Sequence, residues 1–290
     1  MRCFNRRVHP LLVIFILFLL CAVAWAVAEL SGQANKSAAD AGMASADMEM
    51  ASLETISKPA KNPPNVNWEQ EKRLRKELEK QDNAYKGIAR KAQQQASGSK
   101  GVDNPTATAL RAAAGKFNET SEKYAVVWEK GNCITRARLA RETGASRVAS
   151  AEVLIAGADS NKIDALNEQQ DKLNDARQAY IKEAIENDEI SAKDKAAMKA
   201  NLTPKAQKLV SDTAGLVTQV TSLLNQVRSQ ATPAGLVGGL GGCAASSVSG
   251  TTSTDSAMSL LSPVTSLLSL TKGLAGNASS LLSDVNMLTK

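Results

Sequence analysis

The side chains that most often carry catalysis are scarce in this chain. The single histidine is His9, inside the first 28 residues, so no histidine lies beyond them. That excludes a Ser-His-Asp or Cys-His nucleophile pair, a histidine general base and the usual zinc and iron ligand sets from the remainder of the chain. Of the four cysteines, Cys3 and Cys21 fall in the same leading segment, leaving Cys133 and Cys243. Two thiols so far apart make neither a four-cysteine metal site nor a C-x-x-C redox pair. No phosphate-cradling glycine loop is present. Carboxylates and lysines remain, and Glu183, Glu186, Asp188 and Glu189 form the densest acidic cluster. A glycosidase needs two carboxylates fixed about 5–9 Å apart in a cleft. This cluster instead ends an amphipathic helix beside lysines and reads as a solvated face. No cofactor, metal or small-molecule substrate is implied.

Two basic runs are candidates for binding. Lys72-Arg73-Leu74-Arg75-Lys76 is interleaved with Glu69, Glu71, Glu77 and Glu79, the pattern of i,i+4 pairing on an exposed helix. Arg136, Arg138, Arg141 and Arg147 are less diluted and form the better candidate for an anionic surface, whether lipid headgroups, a wall polymer or an acidic partner. Nucleic acid is not expected, because the net charge of +6 falls to near +3 once Arg2, Arg6 and Arg7 of the leader are set aside.

Those three arginines open the chain and precede an uncharged stretch from Leu11 to Ala28. A basic start before an apolar run is the pattern of an export signal. Ala24-Trp25-Ala26 and Ala26-Val27-Ala28 each offer an A-x-A cleavage site, the second leaving Glu29 as the new N-terminus. Eighteen residues of helix also reach about 27 Å, enough to remain as an anchor. Residues 1–28 are therefore a signal peptide or a signal anchor, and either reading places the rest outside the cytoplasm, periplasmic, secreted or tethered. In an oxidising compartment Cys133 and Cys243 are a candidate disulfide. Closing that loop would stabilise by at most about 4–5 kcal/mol in the chain-entropy picture.

The elements that would position any site are helical. Beyond the leader the aromatics are only Trp68, Tyr85, Phe117, Tyr124, Trp128 and Tyr180, so aliphatic side chains and alanine must do the packing. This favours an all-α fold, an elongated bundle of coiled-coil-like helices with a Leu/Ser-rich helical C-terminal tail. Residues 29–66, rich in Ala, Ser, Met, Asp and Lys, show no periodicity and are expected to form a disordered tether. Residues 67–230 form the helical body. Asn67 and Gln70 read as a capping box. Leu110, Phe117, Tyr124 and Trp128 lie on one stripe. A helix from Cys133 to Ile155 carries a candidate break at Gly144, followed by a turn over 157–160. Ile163, Leu166, Leu173, Tyr180 and Ala184 trace another seam. Ser191 with Asp194 predicts a short helix to Leu202, and Thr203-Pro204 the start of the next. Leu78/Tyr85, Phe117/Tyr124 and Leu173/Tyr180 share a seven-residue spacing that would stack them in adjacent core layers.

Composition changes in the last third. Residues 231–256 read as a Gly/Ser/Thr-rich linker, and 257–290 as an amphipathic tail with few charges. Its apolar face, Leu260, Leu261, Val264, Leu267, Leu268, Leu281, Leu282 and Val285, is a candidate interface for a protein partner or a second copy. Packing onto the helix 204–230 and contact with a membrane surface are the other uses of such a face. Membrane contact is also expected through residues 11–28 where the leader is retained. The expected role is a non-catalytic exported helical protein, structural or partner-binding, in the cell envelope or outside the cell. The alternative is a lipid-binding protein acting through the tail. In outline the chain is similar to exported helical proteins of secretion and conjugation machines, a likeness of fold type alone.

Overall fold

The computed structural model describes residues 10–56, 134–186, 188, 190–231 and 251–290, with isolated helical positions between Arg73 and Gln94. Of these, residues 10–24, 134–137 and 251–256 are described by their backbone alone. Among the described residues there is no strand, and the fold is all-α. Five long helices carry it: α1 (Pro10–Ile56), α2 (Ile134–Ala156), α3 (Ser160–Glu186), α4 (Ala192–Ala231) and α5 (Thr251–Leu288).

Their directions follow from what touches what. Glu49 of α1 meets Ser150 of α2, and Asn35 meets Ala158 just past its end, so α1 and α2 are antiparallel. Gln170 and Arg177 of α3 meet Asn277 and Asp284 of α5 in the same order, so those two are parallel. Glu54 meets Asn201 and Lys205 near the start of α4, while Leu30 shares a core cluster with Leu224 and Val227 near its end. Thus α1, α3 and α5 run one way and α2 and α4 the other.

The seams explain why these segments are helices laid side by side. On α4, Leu202, Ala206, Leu209, Thr213, Leu216, Val220, Leu223 and Val227 are buried at steps of four and three. On α3 the series is Ile163, Leu166, Gln170, Leu173, Arg177, Tyr180 and Ala184. A 3.5-residue average keeps one stripe facing its neighbours along nearly parallel axes. The core divides into two layers along the bundle. One joins Met48, Leu53, Leu139, Leu173, Tyr180, Leu202, Leu281 and Val285; the other joins Leu30, Ala34, Ala41, Ile163, Leu216, Leu223, Leu267 and Leu274.

Residues 29–56 are not a tether. They are the inner half of a helix packed by α2, α4 and α5. Leu30, Ala34, Ser37, Ala41, Ala44, Met48, Ser52 and Thr55 are buried at the same alternating steps, and Ala39, Ala46 and Leu53 are buried on another side. The period is real but is written in alanine and serine, so large apolar residues do not reveal it. Alanine is the strongest helix former and lets neighbouring backbones come close, where dispersion contacts accumulate. Gly42 marks the tightest approach: a Cβ there would stand 3.0 Å from Leu154 Cγ. Residues 57–66 of the expected tether lie outside the described residues.

Other boundaries shift too. The helix of 134–156 runs straight through Gly144, a buried position. The turn after it is as expected: Gly157 has φ +69°, its N–H reaches Val153 O at 2.9 Å, and Asp159 Oδ1 accepts the Lys162 N–H to open α3. Ser191 and Asp194 do cap α4, Ser191 Oγ accepting the Asp194 N–H at 3.2 Å. However, α4 does not stop at Leu202. Pro204 sits inside it, and the buried seam from Met198 through Leu202 and Ala206 to Leu209 continues across the proline. Burying those side chains, about 1.5–3 kcal/mol for each large one, outweighs the roughly 3 kcal/mol that an internal proline costs. Helix α5 begins at Thr251, so the end of the expected linker is already helical. The pairs Leu78/Tyr85 and Phe117/Tyr124 lie outside the described residues, while Leu173 and Tyr180 are both buried in one cluster.

Candidate functional site

Polar side chains at seam positions define the interior's only unusual chemistry among the described residues. Glu49 faces α2 from α1 and is 1% exposed. Its Oε1 accepts hydrogen bonds from Ser150 Oγ at 2.5 Å and Ser146 Oγ at 2.7 Å, hydroxyls one turn apart on α2. Gln170 of α3 donates from Nε2 to Ser146 Oγ at 2.7 Å, closing a three-helix network. Buried atoms without a hydrogen bond there include the acceptors Glu49 Oε2 and Gln170 Oε1, the hydroxyl Ser45 Oγ and, on an arginine otherwise engaged, the donor Arg147 Nε. Burial pushes the Glu49 carboxyl up to about 7. The two seryl hydrogen bonds and the Arg147 charge pull it down, and Asp47 adds to the rise.

Two turns along α3 from Gln170, Arg177 is wholly buried. Its Nε donates to Asp284 Oδ2 at 2.8 Å, and Nη2 donates to Asn174 Oδ1 at 2.5 Å and to Asn277 O at 3.3 Å. Nη1 rests 3.8 Å from Met48 Sδ, so the guanidinium joins α1, α3 and α5. Burial works against its charged form and lowers its pKa, while Asp284 favours the charge. A third tie binds Glu54, 6% exposed, to Lys205 Nζ at 2.6 Å and Asn201 Nδ2 at 3.1 Å. Each of these groups fastens one helix to another.

An open groove of about 570 Å³ lies between α3 and α5, lined by Gln178, Ile181, Lys182, Ile185, Asp284 and Met287. Ile185 and Met287 are about half exposed on its rim. Among the described residues, no group of three or more His, Cys, Asp or Glu side chains could hold a metal ion.

The residues singled out from sequence fare differently. The arginines do not make a common surface. Arg147 is 2% exposed, and Arg141 is engaged by Glu142 and faces Glu77 at 4.0 Å. Arg138 is exposed, and the side chain of Arg136 lies outside the described residues. The reason is that α2 is enclosed on most of its faces, so its cations cannot line one open side. Cys133 and Cys243 both lie outside the described residues. The C-terminal face is not an open interface. Val264, Leu267, Leu281 and Val285 are at 0% exposure in the chain's own core, with Leu260, Leu261, Leu268 and Leu282 packed against it. The tail covers α4 because a polar Ser/Thr back and a leucine front suit a bundle helix as well as an interface. Of the acidic cluster, Glu186 and Asp188 each face a lysine, Lys182 at 4.0 Å and Lys195 at 3.9 Å.

Glu49, Gln170 and Arg177 were not found by seeking motifs. The signal was present: Gln170 and Arg177 fall on the same 3-4 seam as Ile163, Leu166 and Leu173, and a polar residue on a buried stripe is the mark of an internal network. Comparison with known proteins adds no relative: no protein family matches the chain, and no match is found among curated proteins or solved structures.

Proposed function

We propose that this chain is an exported, non-catalytic helical bundle with a structural or partner-binding role outside the cytoplasm, tethered there where the leader is retained. The observation that carries this reading is the use made of the charged interior. Glu54, Arg177 and Asp284 are each answered by a group on another helix, the arrangement of a protein whose polar chemistry holds itself together. The leader supplies the export half. The uncharged run from Leu11 to Ala28 leads without a helical break into the enclosed part of α1, and Trp25, 74% exposed, stands just before the first buried side chain, Leu30. Among the residues whose side chains are described, no helix is long and apolar enough to cross a membrane.

The tail no longer favours a lipid-binding reading, since its leucines are occupied inside the bundle. The surface that supports partner binding is the α3–α5 groove with Ile185 and Met287 at its rim. The test is two-part. A reporter active only outside the cytoplasm, fused after Lys290, should be active with the full leader and silent when residues 1–28 are deleted. Cross-linking in the native host should then capture a partner or a second copy that Ile185→Lys with Met287→Lys releases without lowering the melting temperature. A silent reporter on the full chain, or cross-links indifferent to both substitutions, would overturn the respective half.

A further inference from the structure

Glu49 is a buried carboxyl whose two oxygens are unequally served. Its Oε1 already takes two hydroxyl donors, while Oε2 has none, and the neighbouring atoms without partners include the acceptor Gln170 Oε1. A proton on Oε2 removes the charge from a buried oxygen that receives no hydrogen bond, whereas ionisation leaves that anionic oxygen to the Arg147 charge alone. Among the described residues, the charged groups that bear on it are Arg147 from α2 and Asp47 from α1. From α3 the neutral Gln170 reaches it through Ser146. Elsewhere on the packed helices Arg177 pairs with Asp284, Lys205 with Glu54, and Lys208 with Asp212. The same carboxyl holds Ser146 and Ser150, successive turns of α2, beside the close contact of Gly42 with Leu154.

We propose that Glu49 is a proton-operated latch that fastens the α2–α3 hairpin to the central helix when protonated and loosens that seam when it ionises. The direction is fixed by linkage. The carboxyl binds its proton more tightly in the folded bundle, near 7, than at its ordinary value of 4.5. The folded state therefore holds more protons between these values, and its advantage is full below pH 4.5 and falls away as pH rises to about 7. This device goes beyond the export reading and stands without it.

The test uses the full chain and its Glu49→Gln variant, comparing amide hydrogen exchange from pH 5 to pH 8 after correction for intrinsic base catalysis. In the wild type, protection over Ile134–Ala156 should fall on the order of 100-fold across this range, from the separation of the two pKa values. Protection around Ala278–Val285 of α5 should hold, and Glu49→Gln should remove the pH dependence. Parallel profiles in the two proteins would overturn the latch, as would equal loosening of α5. Should the variant fail to fold, infrared spectra of wild type labelled with ¹³C-carboxyl glutamate decide the matter. A protonated-carboxyl band present at pH 6 and titrating near 7 supports the proposal, and its absence at pH 6 overturns it.

Discussion

Removing Asp284 tests whether the interior charges are structural in the sense argued above. Arg177 has 0% and Asp284 3% of its surface exposed, so water cannot take the place of the lost carboxylate. In Asp284→Ala the guanidinium keeps Asn174 Oδ1 and Asn277 O as acceptors but has no counter-charge. Breaking a buried pair from one side costs about 3–5 kcal/mol, compared with about 0.2–1 kcal/mol for an exposed pair such as Lys172–Glu168. Arg177→Leu should cost a similar amount, because it leaves Asp284 buried and unanswered. The double variant, Arg177→Leu with Asp284→Ala, leaves no buried charge in that seam and should be much less destabilised than the sum, with a coupling of about 3 kcal/mol. Urea unfolding at 25 °C followed by helical circular dichroism measures all four proteins, with the slope of the transition checking that it stays two-state. A loss below about 1 kcal/mol for Asp284→Ala, or simple additivity in the double variant, would refute the reasoning.

Three further substitutions probe the scaffold. Gly157→Ala forces a side chain into φ +69° and places its Cβ 2.5 Å from Asn35 Oδ1, so a loss of at least about 1–2 kcal/mol is expected by urea titration. Ala41→Leu, at a position with 0% exposure, should cost about 1–3 kcal/mol through overpacking; were residues 29–56 a tether, it would cost nothing measurable in thermal melting. Ser191→Ala removes the hydroxyl that caps α4 and should cost about 1 kcal/mol, with amide exchange quickening over the first turn of that helix.

The all-α class and several seams could be read directly from residue spacing, because Ile163, Leu166, Leu173 and Tyr180 on α3 and the leucines of α4 and α5 carry strong apolar contrast. The central helix escaped for the opposite reason. Alanine and serine give little contrast between faces, and the same residues that permit close helix approach also compose flexible tethers. Pro204 was a local signal overruled by packing, since a residue's preference for a helix start yields to a buried seam on both sides of it. The tail's leucines announced an apolar face but left three uses open, and α4, the helix just before it in the chain, is what they cover. The polar network was legible only in part. Gln170 and Arg177 betray themselves by position on the α3 seam, whereas Glu49 meets Ser146 and Ser150 across about a hundred residues, and no local pattern announces such a meeting.

The central claim is that residues 29–56 form the helix around which the bundle is built. It is tested most directly by comparing thermal unfolding of a chain beginning at Glu29 with one beginning at Ser57, both followed by circular dichroism at 222 nm. The account predicts a single cooperative transition for the first and a broad, low-temperature loss of helix for the second, whose α2, α4 and α5 would be left around an empty centre. Two transitions of equal sharpness and midpoint would contradict it and return residues 29–56 to the status of a tether.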